Sequence, residues 1–379
     1  MDANGNVRLG FAGDTWLRSS DPRLGSGASA DLFGSVRDWV AACEIACLNL
    51  ECFVSDPEDQ DDRRFWKAKT KHLSTHPELL RVLRNAGFDL VNLANNHVLD
   101  GGTPGLERTM AAIDAVGLKR VGAGRNRTEA AQAVPFIAGG LRLAYVAAAE
   151  WPEDAATPDH PGTAPTRPTR QLLEQVRQAT EAADVVVVQL HADLEFTMAP
   201  APYRVHLARR LIDAGATMVI QHHPHVLQGV ERYRGGLIAY SLGNFAFPIT
   251  SSSYQRDQEG VRDGGWLEVD LDSEGRIADW RLRPVHIGDS GLPCRTDPDT
   301  CSAILQRIQV ASELLQDPGH VRRRWGQRCR SELHYHIMMI YYRLRRYRFA
   351  EAVLYALKIP AERRNWRWIL GVFVTRLFY

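Results

Sequence analysis

Three imidazoles fall within five residues at Gln221-His222-His223-Pro224-His225, directly after the apolar run 216–220. The same placement recurs along the chain. Residues 7–12 lead to Gly13-Asp14, 45–50 to Glu51, 90–94 to Asn95-Asn96-His97, and 185–190 to His191. Asp14, Glu51, Asn96, His97, His191, His223 and His225 together are the donor mix of a hydrolytic metal site. A carboxylate can bridge two ions, while neutral imidazoles and an amide oxygen complete borderline-hard coordination suited to one or two divalent ions, Zn²⁺, Mn²⁺ or Fe. Such ions bring the pKa of a bound water to roughly 7 and neutralise charge on a phosphoryl or carbonyl oxygen. Taken singly, each residue has a plainer reading. A histidine after a strand is more often a loop or core residue, Asp14 a turn cap, Asn95-Asn96 an Asx-rich turn and Glu51 a solvated strand end. Their recurrence in one kind of position argues for a site.

The elements that must hold these residues follow from the pattern. Short apolar runs alternate with helical stretches at 77–85, 105–115, 169–182 and 203–214, which predicts an α/β architecture with stacked sheets. In such folds, loops at the C-terminal ends of strands converge on a rigid frame. Residues 151–170, rich in Pro, Thr and Asp, read as a long surface loop or lid, and 251–264 as a second mobile loop. Runs at 266–271 and 280–285 alternate as strands around a turn at 272–275. There is no internal repeat. Lys67, Lys69, Lys71 and His72 read as a solvated helix face, with a basic lip for an anionic substrate as the alternative.

The 379 residues, 45% hydrophobic and 24% charged, are ordinary for a soluble globular protein. The net charge of +1 is unevenly spread. Residues 318–379 carry 14 Lys+Arg against 3 Asp+Glu, a net of +11, and the remainder a net of −10. We read residues 1–290 as the body and 291–379 as a helical, basic, aromatic-rich extension, with helices near 304–315, 330–347 and 366–379. Its Arg and aromatic residues suit a membrane surface or a protein partner, or else pack on the body or a second subunit. Nucleic acid is not expected as a partner. None of the six cysteines forms a CxxC pair, and the opening residues have no charged-then-apolar targeting pattern. The expected setting is cytoplasmic, at most peripheral to a membrane.

Six segments resemble a known family: GFAGDTWL (10–17), LNLE (48–51), NLANNHVLD (92–100), HADLE (191–195), HHPHVLQ (222–228) and AYSLGNF (239–245). In order and content they are similar to the poly-γ-glutamate capsule protein family CapA, a branch of the calcineurin-like metallophosphatase superfamily. The resemblance implies a four-layer α/β/β/α sandwich. It implies Asp14, Glu51 and His225 at one metal position, with Glu51 in the place of a bridging Asp, and Glu51, Asn96, His191 and His223 at the other. It implies His97 as acid for the leaving group or clamp of the transition state, oriented by Asp100. His222, Asp193, Glu195 and Asn244 are expected on the substrate side, Asp193 bearing on substrate choice or metal recruitment.

This chain also departs from the family. The wider pattern has a His two residues after the first Asp; here that position is Trp16, which predicts one tight and one weaker metal position. Relatives often read His-Trp-Gly-x-Glu where this chain reads His191-Ala192-Asp193-Leu194-Glu195, and Gln221 replaces a small residue. Relatives often carry an N-terminal membrane segment, whereas here the first strand pattern begins almost at once. The expected function is a metal-dependent hydrolase acting on a phosphoryl or acyl/amide centre of an anionic small molecule or poly-γ-glutamyl substrate. The alternatives are a component of poly-γ-glutamate biosynthesis or export, and a metal-stabilised binding module. Oligomer formation stays open.

Overall fold

Alternate residues of one strand enter two different cores, and this sets the architecture. In the computed structural model, Val185 and Val187 of the strand Val185–His191 join one buried cluster, while Val186, Val188 and Leu190 join another. A strand apolar on both faces must be covered on both. The first cluster also takes Leu9 and Phe11 from Val7–Thr15 and Ile45 and Cys47 from Ile45–Leu50, so it lies between two sheets. The second takes Leu172, Val176 and Leu211 from the helices Thr169–Ala182 and Pro202–Asp213. A third cluster covers the outer face of the other sheet with the helices Glu78–Ala86 and Gly102–Ala115. The layers therefore run α/β/β/α, the sandwich the resemblance implied.

The structure describes residues 5–24, 31–55, 72–249, 253–345, 349–361 and 365–374. One sheet has the order Pro293–Arg295, Ile277–Ile287, Asp263–Leu271, Val7–Thr15, Ile45–Leu50, Leu90–Asn92, Lys119–Val121, with Asn244–Ala246 paired parallel to Val7–Thr15. The other has the order Val230–Tyr233, Gly236–Ala239, Met218–His222, Val185–His191, Leu141–Ala149, Val134–Ala138. The strands carrying Asp14, Asn49, Asn92, His191 and His222 run parallel to their site-bearing neighbours, which puts their C-terminal ends along one edge.

Residues 151–170 do not form the expected surface loop. Trp151 is buried, Pro152–Asp154 makes a 3₁₀ turn, Gly162–Thr163 pairs with Ala123–Gly124, and Ala156 and Ala164 close a small core with Ala130. The alanines and Trp151 give this Pro-rich stretch enough apolar surface to pack. Of the second expected loop, Ser253–Arg256 is helical and 263–264 begin a strand; 251 and 252 lie outside the described residues, as do Lys67, Lys69 and Lys71.

The C-terminal helices are Pro298–Leu314, Pro318–Arg345, Phe349–Ala361 and Asn365–Val374. Asp297 caps the first, accepting from the amides of Asp299 and Thr300, with Pro298 in the first turn where no amide hydrogen is needed. Ile304 and Ile308 enter the core between the sheets, and Trp325, Cys329, Trp368 and Val372 form a buried cluster with Ala201. Among the described residues no helix is long and apolar enough to cross a membrane.

Candidate metal centre

Register gathers the strand-end residues. Asp14 stands opposite Asn49 on one parallel neighbour and Asn244 on the other, and His191 stands opposite His222. Both ladders of the first strand are irregular at Asp14, the kind of local shift that re-aims a side chain beside a site. Gly13 permits the close approach there: the Asp14 amide donates to the Gly243 carbonyl at 2.9 Å, and a Cβ at Gly13 would collide with that carbonyl. His223 and His225 sit at φ +98° and +57°. Non-glycine residues seldom adopt this region, and such strain concentrates at functional sites.

Glu51 is the centre of the arrangement. It is fully buried, and among the described residues its Oε1 accepts no hydrogen bond. Around that oxygen stand His225 Nε2 at 3.5 Å, His97 Nε2 at 3.8 Å and His191 Nε2 at 3.8 Å. These separations are too long for hydrogen bonds. The separations to His225 and His191 approach those of donors that share an ion: atoms about 2.1 Å from one tetrahedral cation lie roughly 3.4 Å from each other. Two sets of donor atoms each fall within 4.8 Å, Glu51–His191–His223 and Asp14–Glu51–His225, with Glu51 in both. The Asn96 Oδ1 is 2.9 Å from His191 Nε2, beside the first set. The residues therefore fit one or two divalent ions, bridged by Glu51.

The protons differ between the two sets. Burial and the neighbouring imidazoles of His223, His222 and His225 push His191 well below the usual histidine range, so it is a neutral donor at pH 7. Burial opposes charge on His225, but the carboxylates of Glu51 and Asp14 overcome it and push the imidazole up to about 10. Burial likewise opposes charge on Asp14, but His225 holds its carboxyl below the usual range, so these two form an ion pair, His225 Nδ1 to Asp14 Oδ2 at 3.3 Å. Burial, with the negative charges of Asp14 and Glu195, pushes the Glu51 carboxyl well up. A buried carboxylate forced toward neutrality by like charges gains strongly from a nearby cation.

An asparagine network, missed in reading the sequence, holds the carboxylates. Asn49 Nδ2 donates to Asp14 Oδ1 at 2.7 Å and lies 3.5 Å from Glu51 Oε2 and 3.3 Å from His191 Nδ1. Its Oδ1 accepts from Asn92 Nδ2 at 3.0 Å and Asn95 Nδ2 at 3.4 Å. Asn95 Oδ1 in turn accepts from the amides of His97 and Val98, fixing the loop that presents Asn96 and His97. The available signal was an amide side chain inside an apolar strand, in LNLE and again in NLANN. His97 Nδ1 lies 2.8 Å from Asp100 Oδ2, and that oxygen also accepts from the Leu73 amide.

The family model described as bacterial capsule synthesis protein PGA_cap matches residues 8–249. The chain belongs to this capsule synthesis family. It is 38% identical over 244 residues to the capsule biosynthesis protein CapA of Bacillus anthracis, covering 61% of this chain and 52% of that one. It is 36% identical over 252 residues to the PGA biosynthesis protein CapA of Bacillus subtilis strain 168, covering 66% and 63%. The chain thus spans less than two thirds of the length of either relative. A solved phosphatase from Mycoplasma pneumoniae aligns at 12% identity over 74% of this chain and 94% of its own, with a TM-score of 0.48.

Within this family member, two residues expected on the substrate side, His222 and Asn244, turn inward instead. His222 is buried, its Nε2 3.2 Å from Gln189 Oε1, and burial pushes its imidazole down to about 4. Asn244 spends its Oδ1 on His225 Nδ1 at 2.9 Å and its Nδ2 on the Val261 carbonyl, so it orients a donor residue. Asp193 lines the cavity beside Asn96 and His223, while its carboxylate pairs with Arg204 Nη1 at 2.8 Å and accepts from the Leu194 and Ala201 amides. Gln221 completes that site: it accepts from Arg204 Nε at 2.7 Å, while Arg204 Nη2 also donates to the Tyr240 carbonyl at 2.7 Å. Arg204 is 1% exposed and must have these partners. Trp16 is core, donating to the Ser74 carbonyl and packing on Phe247.

Glu195 borders a cavity of about 230 Å³ that also reaches Asn96, Trp151 and His223. Its far wall belongs to the C-terminal helices, beyond the residues the family model matches: Trp325, Arg328, Glu332, His336 and Trp368. Arg328 donates to the Glu195 carbonyl at 3.2 Å and pairs with Glu332 at 2.8 Å.

Proposed function

We propose that this capsule synthesis family member is a metal-dependent hydrolase acting on a phosphoryl or acyl/amide centre. The observation that carries this reading is the buried Glu51 Oε1, without a hydrogen bond and ringed by three imidazole nitrogens at 3.5–3.8 Å. Asp14, Glu51 and His225 would hold one ion, and Glu51, Asn96, His191 and His223 the other. Bound there, divalent ions supply an acidified water and neutralise charge on the attacked oxygen. With its Nδ1–H donated to Asp100, the protonated imidazole of His97 turns Nε2–H toward Glu51, and from Nε2 it would give that proton to the leaving atom and become neutral. Trp151 lies against the rings of His191 and His223, with centroids 5.2 and 4.6 Å away, and excludes water from that side.

The names of the two Bacillus relatives favour a second reading, a part in building a capsule polymer such as poly-γ-glutamate. One experiment separates the two. Elemental analysis of the purified protein, with Asn96→Ala and His191→Ala beside it, is followed by assays on phosphoesters and γ-glutamyl amides with added Mn²⁺ or Zn²⁺. The hydrolase reading expects one to two equivalents of metal and turnover that both variants lose. Metal without turnover on either substrate class favours the polymer-building role. No metal after reconstitution overturns the metal centre itself.

A further inference from the structure

The long C-terminal helix has two opposed faces. Trp325, Arg328, Glu332 and His336, spaced three or four residues apart, line the cavity beside the metal centre. His336 is fixed on that side by Tyr355 at 2.7 Å and by stacking on Trp368. On the opposite side the helix exposes large apolar residues: Ile337 is 52% exposed, Met338 45% and Tyr341 51%. The next helix exposes Phe349 at 70%, Leu354 at 67% and Leu357 at 63%. Singly scattered exposed apolar residues need no explanation, but groups of large ones on two consecutive helices do.

Charge indicates what covers it. The long helix begins with exposed Arg322, Arg323 and Arg324, exposed Arg330 and Arg345 flank Ile337–Tyr341 along it, and residues 318–379 carry a net of +11. A two-fold contact between two such tails would press +11 against +11, whereas an anionic surface would be attracted. Apolar faces bordered by Arg are the pattern of helices that lie in a membrane interface without crossing it. None of the described helices could span a bilayer. We propose that the C-terminal helices seat this protein on an anionic lipid surface through the face containing Ile337, Met338, Tyr341, Phe349, Leu354 and Leu357. The opposite face of the same helix walls the cavity, so seating holds the metal centre at a fixed distance above the lipid headgroups.

The test is co-sedimentation of the full chain with vesicles of phosphatidylcholine alone and of phosphatidylcholine mixed with anionic phosphatidylglycerol. Its readout does not depend on hydrolysis or metal content. The protein is expected to pellet with the mixed vesicles only, less so as salt is added. Replacing one of Arg322–Arg324 by Glu should weaken partitioning by at least about fivefold. The double change Leu354→Glu, Leu357→Glu, at exposed positions, should abolish pelleting while circular dichroism stays unchanged. Failure to pellet with either vesicle overturns the proposal. So does equal pelleting by the double variant, or sedimentation velocity showing a dimer that this double change dissociates and that binds no vesicles.

Discussion

The two donor sets that share Glu51 differ in the protons they must release. Around His191 burial holds the imidazole unprotonated, and the Asn96 amide oxygen lies alongside. Around Asp14 the site is locked by an ion pair with His225, whose imidazole is pushed up to about 10. A metal entering either set meets the raised Glu51 carboxyl; one entering the second must in addition expel the His225 proton. Trp16, turned into the core, adds no donor to the second set. Glu51 is common to both sets, and the His225 proton is what sets them apart.

The largest expected effect comes from removing the shared residue. Glu51→Gln keeps the shape and abolishes the bridge, so both ions should be lost, with affinity falling by more than about 100-fold, the upper end of what an outer partner costs. The apo protein should not suffer. A carboxyl whose folded pKa is raised opposes folding at any pH above its unfolded value, because it must be ionised while buried or carry its proton. Glutamine relieves that, so the melting temperature without metal should stay equal or rise. A lower one would mean that Glu51 is chiefly structural.

Turnover without metal loss is the second expectation. His97→Ala should reduce turnover about 100-fold while leaving metal content intact, since general acid catalysis is worth that order and His97 belongs to neither donor set. Asp100→Asn should reproduce much of the loss by releasing the ring. Loss of an ion in His97→Ala would redraw the comparison by making His97 a ligand.

How much of this could be read before folding follows from the same contrast. The ligand candidates were legible because a polar residue after an apolar run is locally conspicuous, and the parallel register then aligns those ends. Asn49 and Asn92 were not, because a buried amide inside a strand has the same sequence signature as a solvated one; only the three-dimensional meeting with Asp14 and Glu51 gives it a role. The Asp193–Arg204–Gln221 cluster was hidden for a related reason. Its members lie on a loop, a helix and a strand, and each looks like a surface residue until burial requires a partner. The stretch 151–170 misled because proline and threonine signal loops even where alanine and tryptophan find a core.

Asn49→Ala tests that hidden network. It should cost about 1–3 kcal/mol in stability by orphaning the Asn92 amide, and about tenfold or more in metal affinity by freeing both carboxylates. Because Asn49 touches Asp14, Glu51 and His191, both positions should weaken together. Weakening of one alone would show that the network serves only that side.

The smallest and most discriminating effect concerns pH. Below about 10 His225 carries a proton that a metal must displace, so affinity at the Asp14 position should rise with pH, by about tenfold per unit for one proton. His191, already neutral, should impose no such slope at the other position around neutrality. Metal titrations followed by calorimetry at pH 6, 7 and 8 should therefore show two classes of site that draw together as pH rises. Asn244→Ala sharpens the point. Removing the 2.9 Å contact to His225 Nδ1 leaves Asp14 Oδ2, at 3.3 Å, beside that nitrogen, so only the pH-dependent class should move. If both classes shift in parallel, the positions are one cooperative unit, and the proton lock belongs to Glu51 rather than to His225.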